Sequence, residues 1–177
     1  IIDDILNFSK LESKKMELEL RPMDLRQCVE ETFDLLASRA AEKNLDLVYQ
    51  ITSDTPTSVS ADGTRIRQIL VNLINNAIQA IPDTRRGLIQ ISLDATAREA
   101  TISIRDNGEG IPEDMQSKVF LPNFTSKSSG TGLGLAMCQQ IVEAANGRIF
   151  FRTIPGKGTN FFVELPLMRK PEQGEPG

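Results

Sequence analysis

Residues 62–81 hold a helix-length stretch that is apolar around most of its girth. Ile66, Ile69, Leu70, Val71, Leu73, Ile74, Ala77 and Ile78 would point in nearly every direction around a helix axis. Such a helix must be covered on several sides, and Asp62 is placed to cap its start. The exceptions are Gln68, Asn72, Asn76 and Gln79, at spacings of four, four and three, which form one polar stripe. Buried amides need hydrogen-bond partners. A single Asn in such a place caps a loop or a sheet edge. A stripe of four also fits a cavity in which amide oxygens meet a cation, and magnesium takes hard oxygens of this kind, completing its shell with phosphates and water.

The flanking sequence supplies a sheet and further helices for that helix to pack against. Ile1, Ile5 and Phe8 recur at helical spacing, as the end of an amphipathic helix. Met16, Leu18 and Leu20 alternate with polar residues, which predicts a strand closed by Pro22. Asp24 with Gln27 resembles a capping box, and Leu25, Val29, Phe33, Leu36 and Ala40 form one helical face. Leu45, Leu47, Tyr49 and Ile51 alternate as a strand. Two strands, 88–93 and 101–106, surround the Ala97-Arg98-Glu99 turn. Residues 112–130 are polar and poorly periodic, as a mobile loop with a short helix. A helix is predicted from Thr131 to Ala145, with Asn146-Gly147 as its C-cap. Strands 148–153 and 159–165 flank Pro155-Gly156-Lys157-Gly158, and a charged tail rich in Pro and Gly reads as disordered. Three strand pairs lie close enough for hairpins. The expected fold is α+β: a two-layer α/β sandwich with helices on one face of a mixed sheet.

Composition removes several function classes. The 177 residues carry a net charge of -4, which argues against a nucleic-acid-binding surface. With no histidine, Ser-His-Asp and Cys-His catalysis are excluded. Cys28 and Cys138 stand in apolar helical patterns and read as buried reduced thiols, which argues against a zinc site. No apolar run reaches membrane-spanning length. The opening Ile1-Ile2-Asp3-Asp4 has neither an initiator Met nor the basic region of a signal peptide, so a piece of a longer protein is expected.

Three further segments carry candidate chemistry. In Asp106-Asn107-Gly108-Glu109-Gly110, Asp106 shares its strand face with Ile102 and Ile104 and must point inward. A carboxylate there is costly without a partner. It is either a turn cap or the acceptor for the amino group of a flat base, with Gly108 and Gly110 letting backbone approach the ring. Gly130-Thr131-Gly132-Leu133-Gly134 opens a helix, where free amides and the dipole suit phosphate; a hinge reads equally well. It fits neither the dinucleotide fingerprint nor a phosphate loop of the GxxxxGK[ST] kind. Gly156-Lys157-Gly158-Thr159 reads as an ordinary hairpin turn.

Taken together these segments resemble a sensor histidine kinase of the superfamily that shares its Bergerat-type nucleotide fold with gyrase, a heat-shock chaperone and mismatch-repair ATPases. NLINNA at 72–77 resembles the asparagine box. DNGEGI at 106–111, GTGLGL at 130–135 and GKGTNF at 156–161 resemble the three glycine boxes, and VFLPNFTSK at 119–127 the phenylalanine box. Five motifs in order cover about residues 20–166. Gln79 and Ala80 replace a Lys and an aromatic found in many relatives, which resembles the nitrogen-regulation branch.

The resemblance implies a division of the chain: residues 1–15 end the helix of a dimerisation and phosphoacceptor domain, 16–167 form the ATP-binding catalytic domain, and 168–177 are the tail. It implies ATP and Mg2+ as ligands. Asn76 would ligate magnesium and Asn72 would lie beside the phosphates. Asp106 would accept from the adenine amino group, with Gly108, Gly110, Ile111 and Thr159 around the base. Gly130, Thr131, Gly132, Leu133 and Gly134 would accommodate the phosphates, and Lys127 would be a lid cation reaching them. The partners implied are a histidine-bearing dimerisation domain of the same protein and the receiver domain of a response regulator. No nucleic acid and no membrane contact by this stretch are expected, and the location is cytoplasmic, the whole protein being free to carry a membrane anchor.

The expected reaction is transfer of the γ-phosphate to a histidine on the other domain. Related ATPases have a water-activating Glu where Asn72 stands, and an amide cannot take that proton. That favours a kinase over a hydrolysing ATPase; the helix at 1–12 favours a histidine kinase over a serine kinase of the anti-sigma type, and five intact motifs speak against a binding module that has lost catalysis.

Overall fold

The computed structural model describes residues 18–125 and 132–168, together with Ser9. Its elements run β1 (Arg21–Asp24), α1 (Leu25–Glu42), β2 (Leu45–Ile51), β3 (Ser58–Ala61), α2 (Gly63–Ala80), β4 (Gly87–Ala95), β5 (Glu99–Asp106), α3 (Glu113–Gln116), α4 (Gly134–Ala144), β6 (Arg148–Ile154) and β7 (Gly158–Pro166). A five-stranded sheet in the order β2-β4-β5-β7-β6 has one parallel pair, β2 with β4, and is otherwise antiparallel. This is the expected mixed sheet, with α1, α2 and α4 on one face.

The period of two along each strand decides which face is covered. Ile89, Ile91 and Leu93 of β4 stand opposite Asp106, Ile104 and Ile102 of β5. Ile102 and Ile104 in turn face Val163 and Phe161 of β7. All but Asp106 join the apolar core under the helices. The alternate residues, among them Gln90, Ser103, Arg105, Asn160 and Phe162, form the other face.

Helix α2 is the centre of that core. Ile66, Ile69, Leu70, Leu73, Ile74, Ala77 and Ile78 are all buried. It packs on β5, on α1 to one side and on α4 to the other. Burying a side chain of this size is worth roughly 1.5–3 kcal/mol. The helix starts as expected, with Asp62 accepting from the Arg65 amide at 3.2 Å.

Several local expectations are corrected. Residues 18–20 are not a strand; β1 begins at Arg21 and contains Pro22, while Met16 lies outside the described residues. Pro is tolerated because β1 is an edge strand of a separate two-stranded sheet, paired with β3 on one side. The short, polar β3 was not foreseen. Asp24 does cap α1, accepting from the Arg26 amide at 2.9 Å, but Gln27 donates to Glu31 instead of returning to close a box. Two hairpins form, β4–β5 and β6–β7, not three, because β2 reaches β4 in parallel across β3 and α2. The short helix in the polar loop is α3.

Helix α4 starts at Gly134, later than expected. Gly132 has φ +69, which a right-handed helix does not accommodate. Its end follows expectation: Asn146 takes φ +57, its amide donates to Glu143 O, and the Gly147 amide donates to Val142 O at 2.9 Å. That is a Schellman motif with Asn in the left-handed position. Of the expected helical remnant at 1–15, only Ser9 is described; of the tail at 168–177, only Met168 is.

Candidate functional site

The polar stripe of α2 meets α4. Gln68 accepts from Arg65 Nη1 at 2.9 Å, and its amide nitrogen lies 3.7 Å from Met137 Sδ. Asn72 Nδ2 lies 3.8 Å from Cys138 Sγ. Gly134, the first residue of α4, faces Asn72: a Cβ built on it would stand 3.8 Å from Asn72 Nδ2. The N-terminus of α4 thus opens beside Asn72. Leu133 offers no side-chain cap to its first amides. Backbone amides at the positive end of a helix dipole suit an anion. Leu133 itself is buried.

Asn76 is half-buried one turn further along α2, and Gln79 is exposed. Asn75 was overlooked in the sequence. At about 100° per residue it stands roughly 20° from Gln68, at the edge of the stripe. Its Oδ1 is buried without a hydrogen-bond partner among the described residues.

At its far end α2 meets the loop after β5. The Glu109 amide donates to Ala80 O at 3.0 Å. Ala80 is eight residues from Asn72, which sets the two ends of the site about 12 Å apart along the helix axis.

Asp106 is only 5% exposed. Its Oδ1 accepts from the Gly108 amide at 2.8 Å and the Thr159 amide at 3.3 Å. Both hydrogen bonds given to it among the described residues fall on this one oxygen. Burial pushes the carboxyl above the usual carboxylate range, and the two backbone bonds pull against that rise. It is both the inward-facing carboxylate expected and, through Gly108, a turn cap.

Strands β6 and β7 complete this end. Thr159 is 5% exposed, and its hydroxyl lies 2.9 Å from the Thr153 hydroxyl. Thr153 Oγ1 also accepts from the Ile111 amide at 2.9 Å and reaches Gly158 O at 3.1 Å. Gly110 takes φ +70, and a Cβ there would come within 2.4 Å of Ile154 O. Only glycine fits where the β5 loop crosses the end of β6. The side chain of Ile111 packs at the edge of the core.

The structure therefore gathers Asp106, Gly108, Gly110, Ile111 and Thr159 at one end of α2, and Asn72 and Gly134 at the other. Gly132 lies just before α4. Lys127, Gly130 and Thr131 lie outside the described residues. Sequence reasoning missed Thr153 and Arg85. Thr153 stands opposite Thr159 in the β6–β7 ladder, a signal readable once the hairpin register is fixed. Arg85 donates to the carbonyls of Asn107, Gly108 and Gly156, which no local pattern announces. Cys28 and Cys138 are buried free thiols, with burial raising Cys138 to about 12. No helix among the described residues is long and apolar enough to cross a membrane.

Residues 61–169 match the family described as histidine kinase-, DNA gyrase B-, and HSP90-like ATPase. The chain belongs to this family. The signal transduction histidine-protein kinase BarA of Escherichia coli is 38% identical over 182 residues, covering 97% of this chain and 20% of BarA. The catalytic domain of histidine kinase ThkA superposes with TM-score 0.74 at 33% identity, covering 85% of this chain and 96% of that domain. ShkA, solved at full length in complex with AMPPNP, gives TM-score 0.82 at 29% identity, covering 93% of this chain and 35% of ShkA. ThkA in complex with response regulator protein TrrA gives 0.74 at 28% identity, over 93% of this chain and 47% of that one. Within the family, then, this chain is a catalytic domain of the histidine kinase type, and it spans about a fifth of BarA.

The raised carboxyl of Asp106 has a consequence for stability. A carboxyl whose folded-state pKa is raised stabilises the fold fully below its unfolded pKa, and that contribution is lost as pH rises through the folded value. At neutral pH the ligand-free protein therefore carries a penalty that Asp106→Asn removes. The variant is expected to be at least as stable as the wild type at pH 7, with the difference shrinking below about pH 4. Urea unfolding of both proteins across that range checks it. A variant clearly less stable at pH 7 would mean that the site favours the charge.

Proposed function

We propose that this domain binds Mg-ATP along α2 and delivers the γ-phosphate to a histidine on a separate dimerisation domain of the same protein, in two-component signalling. The observation that carries this reading is Asp106: a buried carboxylate whose two hydrogen bonds share Oδ1, at the end of the β5 strand. Oδ2 then accepts from the adenine amino group, with Thr159 beside it and the Gly108–Gly110 backbone along the ring. Charge-assisted bonds of this kind are about twice as strong as neutral ones.

The triphosphate runs towards Asn72 and the first amides of α4, between Gly132 and Gly134. The family resemblance assigns Lys127, Gly130 and Thr131 to the phosphates as well; they lie outside the described residues. Asn72 positions the phosphates but cannot activate water, which directs transfer to a nucleophile from outside. The chain itself contains no histidine. Among the described residues no group of His, Cys, Asp and Glu could hold a metal by itself. That fits magnesium, which is held by one or two protein oxygens and substrate phosphates. Asn76 is the residue to hold it. Magnesium supplies neutralisation of the charge on the phosphates.

Residues 1–15 would end the dimerisation helix, 16–167 form the catalytic domain and 168–177 a tail. The ThkA complex with TrrA supports a response regulator receiver domain as the second partner. A cytoplasmic place and the absence of nucleic-acid and membrane contacts belong to the same reading, as does the nitrogen-regulation-like branch.

Incubation with γ-labelled ATP tests the reaction. The domain alone is expected to remain unlabelled; with the histidine-bearing domain an acid-labile, alkali-stable phosphoprotein forms. Acid-stable self-labelling would indicate a serine or threonine kinase, and fast phosphate release without a partner an ATPase.

Asn76→Ala is expected to lose most of the magnesium-dependent part of ATP affinity, read in titrations with magnesium and with EDTA. A variant that responds to magnesium as the wild type does would remove Asn76 as the ligand.

A further inference from the structure

Arg85 lies in the turn after α2, where its amide donates to Pro82 O at 3.0 Å. Its guanidinium reaches back across the loop that follows β5. Nη1 donates to Asn107 O at 2.6 Å and to Gly108 O at 2.8 Å, and Nη2 donates to Gly156 O at 3.2 Å. Three chain segments thus meet on one planar fork: the turn after α2, the loop after β5, and the β6–β7 hairpin. Such rigid donor geometry is specific to arginine.

The first of these bonds has a direct electrical link to Asp106. Asn107 C=O and Gly108 N–H belong to one peptide unit. Arg85 donates to its oxygen, while its N–H donates to Asp106 Oδ1 at 2.8 Å. A cation on the carbonyl side polarises the amide and strengthens the bond its N–H makes, because hydrogen bonds in series reinforce one another. Arg85 and Asp106 form no ion pair, so the coupling runs through the peptide. Asn107 locks the same unit from the side: its Oδ1 accepts from the Leu88 amide at 2.8 Å and its Nδ2 donates to Arg86 O at 3.0 Å. The Gly156 bond adds the hairpin that brings Thr159 to the same carboxylate oxygen.

We propose that Arg85 is a positioning residue of the nucleotide site: acting through the Asn107–Gly108 peptide unit, it fixes the Asp106 carboxylate so that Oδ2 meets the adenine amino group. This rests on the assignment of Asp106 to adenine. It makes Arg85 a determinant of base recognition that leaves the phosphate end untouched.

The test compares wild type, Arg85→Ala and Arg85→Lys by calorimetry with Mg-ATP and, as a probe of the phosphate end, with magnesium and inorganic tripolyphosphate. Thermal melts confirm folding. Arg85→Ala is expected to bind ATP about three- to tenfold more weakly, the range for loss of a hydrogen bond or two. Tripolyphosphate affinity is expected to be unchanged. Millimolar guanidinium, but not methylammonium, should restore much of the ATP affinity of Arg85→Ala. Arg85→Lys should recover only part of it, since one ammonium cannot span three carbonyls. If Arg85→Ala does not fold, Arg85→Lys carries the test through the same selective loss. Wild-type ATP affinity in a folded variant overturns the inference alone. So does an equal loss for ATP and tripolyphosphate without guanidinium rescue, which is general loosening. A wild-type protein that ignores ATP overturns the nucleotide-site assignment and this inference with it.

Discussion

Helix α2 is apolar on more sides than one sheet can cover. It lies on β5 and needs α1 and α4 beside it to bury Ile66, Ile69, Leu70, Leu73, Ile74 and Ile78. Its polar stripe is turned towards α4, and this arrangement fixes the site. The stripe puts Asn72 against the start of α4, and the C-terminal end of the helix puts Ala80 O under the loop that carries Glu109. One rigid element thereby sets the distance between a base-binding end and a phosphate-binding end. Sites built on such elements hold their geometry better than sites built on loops.

The other expense in this fold is the carboxylate at the end of β5. The register that buries Ile102 and Ile104 also buries Asp106, and the protein answers with two backbone amides on a single oxygen. Those amides come from different directions, the local turn and β7. The carboxylate is therefore oriented by tertiary structure as well as by its own loop. A buried carboxylate with its bonds on one oxygen is poised for a ligand on the other, and carboxyls raised by burial are common at functional sites.

The sequence revealed the parts of this protein that depend on periodicity and on local motifs. The girth of α2, the inward face of β5, the Asn146-Gly147 helix end and the Asp62 cap follow from side-chain directions within one element. What it concealed depends on which elements meet. β3 is four residues of Ser, Val, Ser and Ala, too short for a period, and it exists because β1 pairs with it. Pro22 reads as a strand end in the sequence because the open edge that tolerates it is a tertiary fact. Thr153 becomes visible only when the hairpin register sets it opposite Thr159. Arg85 bonds backbone carbonyls of loops more than twenty residues away, and carbonyls have no sequence signature. Asn75 was legible, since helical arithmetic alone puts it at the edge of the polar stripe.

Everything in the functional reading turns on Asp106 meeting the amino group of adenine. Calorimetric titration of ATP into wild type and into Asp106→Asn tests this most directly, because the substitution keeps size and shape and removes only the charge. The account predicts a folded variant with affinity about ten- to a hundredfold weaker, the worth of a charge-assisted hydrogen bond. Undiminished affinity in the folded variant would contradict it and remove Asp106 from the site.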